Sequence, residues 1–101
     1  MSRLEQLQQM LAKEPNDVFL NFGLAMELAK AQRFEESLGQ FDRVIALNPD
    51  YITAYFQKGK LHLRIGDKES ARQAWQSGVA RAQSLGDKHA KAEMEQLLSA
   101  L

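Results

Sequence analysis

The stretch Pro15 to Pro49, PNDVFLNFGLAMELAKAQRFEESLGQFDRVIALNP, contains both prolines of the chain, 34 positions apart. A fixed internal period decides a whole fold, so it is tested before any local reading. Shifting the chain by 34 places Leu4 on Leu38, Gln6 on Gln40, Leu7 on Phe41 and Ala12 on Ala46. The same shift pairs Val18 with Ile52, Phe22 with Phe56, Glu35 with Glu69, Phe41 with Trp75 and Ile45 with Val79. Apolar positions fall on apolar positions and turns fall on turns.

Within each period the apolar spacing is helical. Leu20, Leu24 and Leu28 recur every four residues, and Phe34, Leu38, Phe41 and Ile45 follow at four, three and four. Ala71, Trp75 and Val79 repeat the second stripe. Leu4, Leu7 and Leu11 mark an earlier helix, and Ala90, Met94, Leu97 and Leu101 a final one. No stretch alternates with period two, so the chain reads as all-α. Punctuation falls between the stripes. Each proline stops the helix before it, and Asn16-Asp17 and Asp50 offer capping oxygens to the next. Gly66-Asp67 and Gly86-Asp87 each pair a terminating glycine with a capping aspartate. The spacing predicts six helices, over 2–13, 17–31, 34–47, 51–65, 67–85 and 87–100.

Composition narrows the function classes. The 101 residues carry 13 Lys and Arg against 13 Asp and Glu, so no net positive field draws the chain to nucleic acid or an anionic membrane. Cysteine is absent, which removes disulfides, thiolate metal sites and thiol nucleophiles. There is no signal-type apolar stretch at the N-terminus and no run long enough to span a membrane, so a cytoplasmic protein is expected. His62 and His89 lack the paired spacing of a metal site, and Glu35-Glu36 are explained by the positive end of a helix dipole. No Gly-rich phosphate loop or nucleophile motif is present. A catalytic site, a cofactor and a metal are all expected to be absent.

A helix–turn–helix unit of 34 residues resembles the tetratricopeptide repeat (TPR), whose pattern is W-x2-L-G-x2-Y, then A-x3-F, then P. Asn21, Leu24, Ala25, Leu28, Ser37, Phe41 and Pro49 stand at those positions in the first unit. Tyr55, Lys58, Gly59, His62, Ala71, Trp75 and Gln83 stand at them in the second. Asn21 replaces the favoured Trp, Lys58 the Leu, and Gln32 a usual turn Gly. The resemblance implies one right-handed α-solenoid of antiparallel helix pairs over 1–101. A half-repeat helix (2–13) would precede repeat one (16–49) and repeat two (50–85), and a capping helix (87–100) would close it. Arg3, Glu5, Gln8, Gln9 and Lys13 would dress the outer face of the first helix, and Lys88, Lys91, Glu93, Glu95 and Ser99 that of the last.

The resemblance further implies a concave groove lined by the first helix of each repeat, which takes a partner protein or peptide. It assigns Phe19, Phe22, Met26 and Ala29 to that face in repeat one, and Thr53, Phe56, Lys60 and Leu63 in repeat two. Gln57 and Arg64 fall at the rim. Such a face expects an apolar segment with an acidic neighbour. Against that reading, aromatic residues at helical spacing are usually core, and Lys60 and Arg64 would then be a solvated face. The acidic C-terminal tail bound by the chaperone-binding branch of the family is not expected here. Phe22 and Met26 occupy its clamp positions, and Gln57 replaces an Asn. A second reading keeps the same face for self-association or a fixed assembly, leaving the chain a monomer or weak homodimer. The alignment itself predicts that Trp75→Ala costs about 3–5 kcal/mol of stability. A thermal melt within a few degrees of the parent would break the repeat assignment.

Overall fold

A computed structural model describes Met1–Leu101 and contains six helices and no strand. They are α1 (Arg3–Lys13), α2 (Val18–Lys30), α3 (Phe34–Leu47), α4 (Ile52–Ile65), α5 (Lys68–Leu85) and α6 (Lys88–Ser99). Each bound lies within one residue of the sequence expectation. The chain divides into two compact units, Met1–Asn48 and Pro49–Leu101. In the first, α2 packs against both α1 and α3; in the second, α5 packs against both α4 and α6. The short connections make consecutive packed helices antiparallel, so α4 and α6 run in the same direction. No helix is long and apolar enough to cross a membrane.

Local chemistry sets the helix starts. Ser2 and Glu5 form a reciprocal capping box on α1. Asp17, Asp67 and Asp87 each accept the N–H three residues on, from Leu20, Ser70 and Ala90. The Ser70 hydroxyl also donates to Asp67 at 2.7 Å, and these bonds hold the Asp67 carboxyl below its ordinary range. Asp50 departs from its expected capping role. Tyr51 is the N-cap of α4 and makes no side-chain capping bond, while Asp50 pairs with Arg81 Nη1 at 3.1 Å. Asn16 likewise leaves the cap to Asp17 and accepts from Arg43 at 2.9 Å.

Three helix ends share one termination. The N–H of Arg33 bonds Leu28 O, that of Asp67 bonds His62 O, and that of Asp87 bonds Ala82 O. Each bond spans a residue in the left-handed region: Gln32 at φ 63°, Gly66 at 98° and Gly86 at 73°. Gln32 occupies the repeat position of Gly66 and bears the Cβ strain that glycine avoids.

Polar as well as apolar groups hold the first unit. Leu7, Ala25, Leu28, Phe41 and Val44 are buried with Asn21 and Ser37. Asn21 is the residue that departs furthest from the repeat pattern, and its amide explains why it is kept in a core. Its Nδ2 donates to Pro15 O at 3.0 Å and Asp17 O at 2.8 Å, and its Oδ1 accepts from Gln40 Nε2. It thereby ties the approach to α2 onto α3 and leaves no buried side-chain polar atom unpartnered. Ser37 is small enough for α2 and α3 to approach closely, and its hydroxyl donates to Ala25 O at 2.7 Å.

The second unit is built on Trp75, which is fully buried. Its indole lies against Gly59, where an added Cβ would stand 2.1 Å from Nε1. That nitrogen donates to Phe56 O at 3.1 Å. Gly78 makes the matching close approach to Met94 and Tyr55, and the Tyr55 hydroxyl donates to Pro49 O at 2.7 Å. Relief of the strain at residue 32 gives the test of this backbone account. Gln32→Gly should stabilise the chain by about 0.5–1 kcal/mol, after the entropy cost of glycine, raising Tm by about 2–6 °C. Circular-dichroism melts of the two proteins measure it.

Candidate functional site

The face assigned from sequence is carried by α2 in one unit and α4 in the other. On α2, Phe19 is 71% exposed in the first turn. It lines a shallow concavity with Met10, Lys13, Glu14, Asp17 and Leu20. Phe22, one turn on, is half-buried and meets Phe41 edge-on, with ring centroids 5.9 Å apart at 62°. Met26 is partly exposed another turn along, and Ala29 is half-buried. Phe22 therefore belongs largely to the packing of its unit, while Phe19 and Met26 face outward.

In the second unit α4 and α6 enclose an open concavity of about 310 Å³. Ile52, Thr53, Phe56 and Gln57 line it from α4, and His89, Ala90, Glu93 and Met94 from α6, with the cap Asp87 at its end. Trp75 fixes the Phe56 backbone from behind, through the carbonyl bond already described. Buried Met94 forms floor with Phe56 and Ile52. Lys60 Nζ stands 5.2 Å from the Phe56 ring centroid, a cation–π contact one helical turn further along α4. Arg64 and Leu63 are exposed beyond it and do not line the concavity.

Thr53, Phe56 and Gln57 are thus brought together, with Lys60 at their edge. The α6 lining was not part of the expected face. Glu93, expected on the outer face of a cap, lines the concavity, where His89 Nε2 lies 3.3 Å from its Oε2. Lys91, also expected outside, is half-buried. A sequence signal existed but was out of step. Thr53 and Gln57 correspond to His89 and Glu93 at a shift of 36, because α5 runs 18 residues where α3 runs 14 and the connection after it is two residues shorter. No group of three or more His, Cys, Asp or Glu could hold a metal ion.

No family model matches the chain. A TPR repeat-containing protein of Pseudomonas aeruginosa is 36% identical over 98 residues, spanning 97% of this chain and 93% of that protein. The chain belongs to the tetratricopeptide repeat family. The TPR fold is also that of a Bordetella parapertussis protein solved in solution. It is 33% identical, has a TM-score of 0.85, and aligns over 99% of this chain and 87% of its own. PcrH, solved in complex with the chaperone binding region of PopD, shares the fold at a TM-score of 0.86 and 18% identity. That alignment covers 96% of this chain and 74% of PcrH.

The two α2 aromatics differ in environment, and this difference can be measured. Phe22→Ala should cost about 1–3 kcal/mol in denaturant unfolding, because it removes the edge contact to Phe41. Phe19→Ala should stay within about 0.5 kcal/mol of the parent.

Proposed function

We propose that this TPR chain is a non-enzymatic protein-interaction module that holds an extended or helical segment of a partner. The observation that carries the reading is the concavity between α4 and α6, floored by Ile52, Phe56 and Met94 and rimmed by polar side chains. Apolar floors with a few polar groups are how grooves gain both burial and register. The proposed binding residues are Phe19 and Met26 on α2, backed by Phe22 from the packing of that unit, and, as a separate patch in the second unit, Thr53, Phe56, Gln57, Lys60 and Arg64 on α4. Phe19 supports the assignment, since a largely exposed phenyl gains most when a partner covers it. Lys60 and Arg64 are exposed at the C-terminal half of α4 and suit an acidic group of the partner. PcrH, of the same fold, holds the chaperone binding region of PopD. For the present chain the partner is a protein or peptide, with neither nucleic acid nor membrane involved.

Phe19→Ala/Phe56→Ala tests this reading without disturbing the core bond, since alanine keeps the Phe56 carbonyl that Trp75 uses. Affinity capture from the source extract should lose a bound protein by more than about tenfold, while helical circular dichroism is unchanged. Unchanged capture by the folded variant would remove the aromatics from the binding face. A parent dimer that the substitutions dissociate, with nothing else captured, would establish self-association on this face instead.

A further inference from the structure

The charge of the α4–α6 concavity differs from that of the α4 helix alone. Its lining includes two carboxylates, Asp87 and Glu93, and no Lys or Arg. Asp87 accepts one bond, through Oδ1 from the Ala90 N–H at 3.0 Å, and a carboxylate has capacity for more. Glu93 lies 3.3 Å from His89, which is a cation only when protonated. The exposed cation Lys60 lies one turn further along α4, above Phe56, and Lys88 and Lys91 of α6 are outside the lining. Because α4 and α6 run in the same direction, Asp87 at the cap and Glu93 at the level of Gln57 make the concavity acidic, and the cations begin beyond it at Lys60. Resting on the function proposed above, we infer that the occupant is a partner segment carrying a Lys or Arg beside a large apolar side chain. The apolar group fills the Ile52–Phe56–Met94 floor. Its cationic neighbour meets Asp87 and Glu93, which sets the direction in which the segment lies. Exposed ion pairs add little affinity, but they discriminate between partners and fix register.

The test is selection of a random peptide library displayed on phage against the full chain. It is paired with selection against Asp87→Asn/Glu93→Gln, in which Asn retains the capping function. Recovered sequences should place Lys or Arg next to a large apolar residue. The double variant should bind their synthetic versions about two- to fivefold more weakly for each carboxylate removed. Glu93→Lys should shift recovery toward acidic neighbours. High salt should erase the difference between the parent and the double variant. Recovered peptides with no cation enrichment, or with equal affinity for both proteins, would overturn this inference and leave the interaction reading standing. A library that yields no enriched sequence would overturn both.

Discussion

The contact between Trp75 and Gly59 is the constraint on which the second unit depends. An indole can bring its N–H edge this close to a helix backbone only where the helix has no side chain, and at Gly59 any Cβ would overlap the ring. The resulting closeness brings Nε1 within 3.1 Å of the Phe56 carbonyl, so the most buried aromatic is also hydrogen-bonded. One residue therefore joins the packing of the unit to the lining of the concavity. Trp75 holds the backbone of α4 at the point where the Phe56 ring turns toward the concavity. Gly78 repeats the device on the other flank of α5, where Met94 enters. The concavity is thus a by-product of two close helix packings, α4 on α5 and α5 on α6.

The first unit solves the same problem with polar groups. Asn21 stands where the repeat favours a large ring, and its amide makes three bonds in place of that apolar volume. Arg43 reinforces the same corner by donating to Pro15 O and Asn16 Oδ1. Buried amides of this kind are costly unless complete, and this one is complete. Beside this corner Phe22 meets Phe41 while Phe19 remains exposed.

Helix number, helix bounds and turn strain were legible because their causes are local. Proline, αL glycine and capping aspartate act within a few residues of themselves, and even the strained Gln32 follows from comparing it with Gly66 one period later. Asp50 was misread because its competing partner, Arg81, lies 31 residues away. The role of Asn21 was hidden for the same reason, since Gln40 is 19 positions distant. Half of the candidate concavity was missed through a change of step. The longer α5 breaks the 34-residue register just before α6, so Glu93 read as solvated surface. A polar residue on an amphipathic helix carries no sign of whether solvent or a neighbouring helix stands opposite it.

The charge polarity of the α4–α6 face can be traced to the physics of helix ends rather than to any requirement of a ligand. The unsatisfied N–H groups of a first turn favour an acceptor, and Asp17 on α2 and Asp87 on α6 supply one as a carboxylate. The opposite end favours cations, and Lys30 on α2 and Arg64 on α4 lie in the last turns. Within the second unit, α4 and α6 run in the same direction, so the cap of α6 and the last turn of α4 lie toward opposite ends of their common concavity. The missing side-chain cap of α4 strengthens this account. At α4 the carboxylate of Asp50 is drawn away to Arg81, and Tyr51 caps without a side-chain bond. Acid at the N-terminal edge of the concavity consequently comes from α6 alone, through its cap Asp87, while Glu93 adds a second carboxylate mid-way along the helix. A face made this way has a direction before it has a partner, and selection of a partner need only match it.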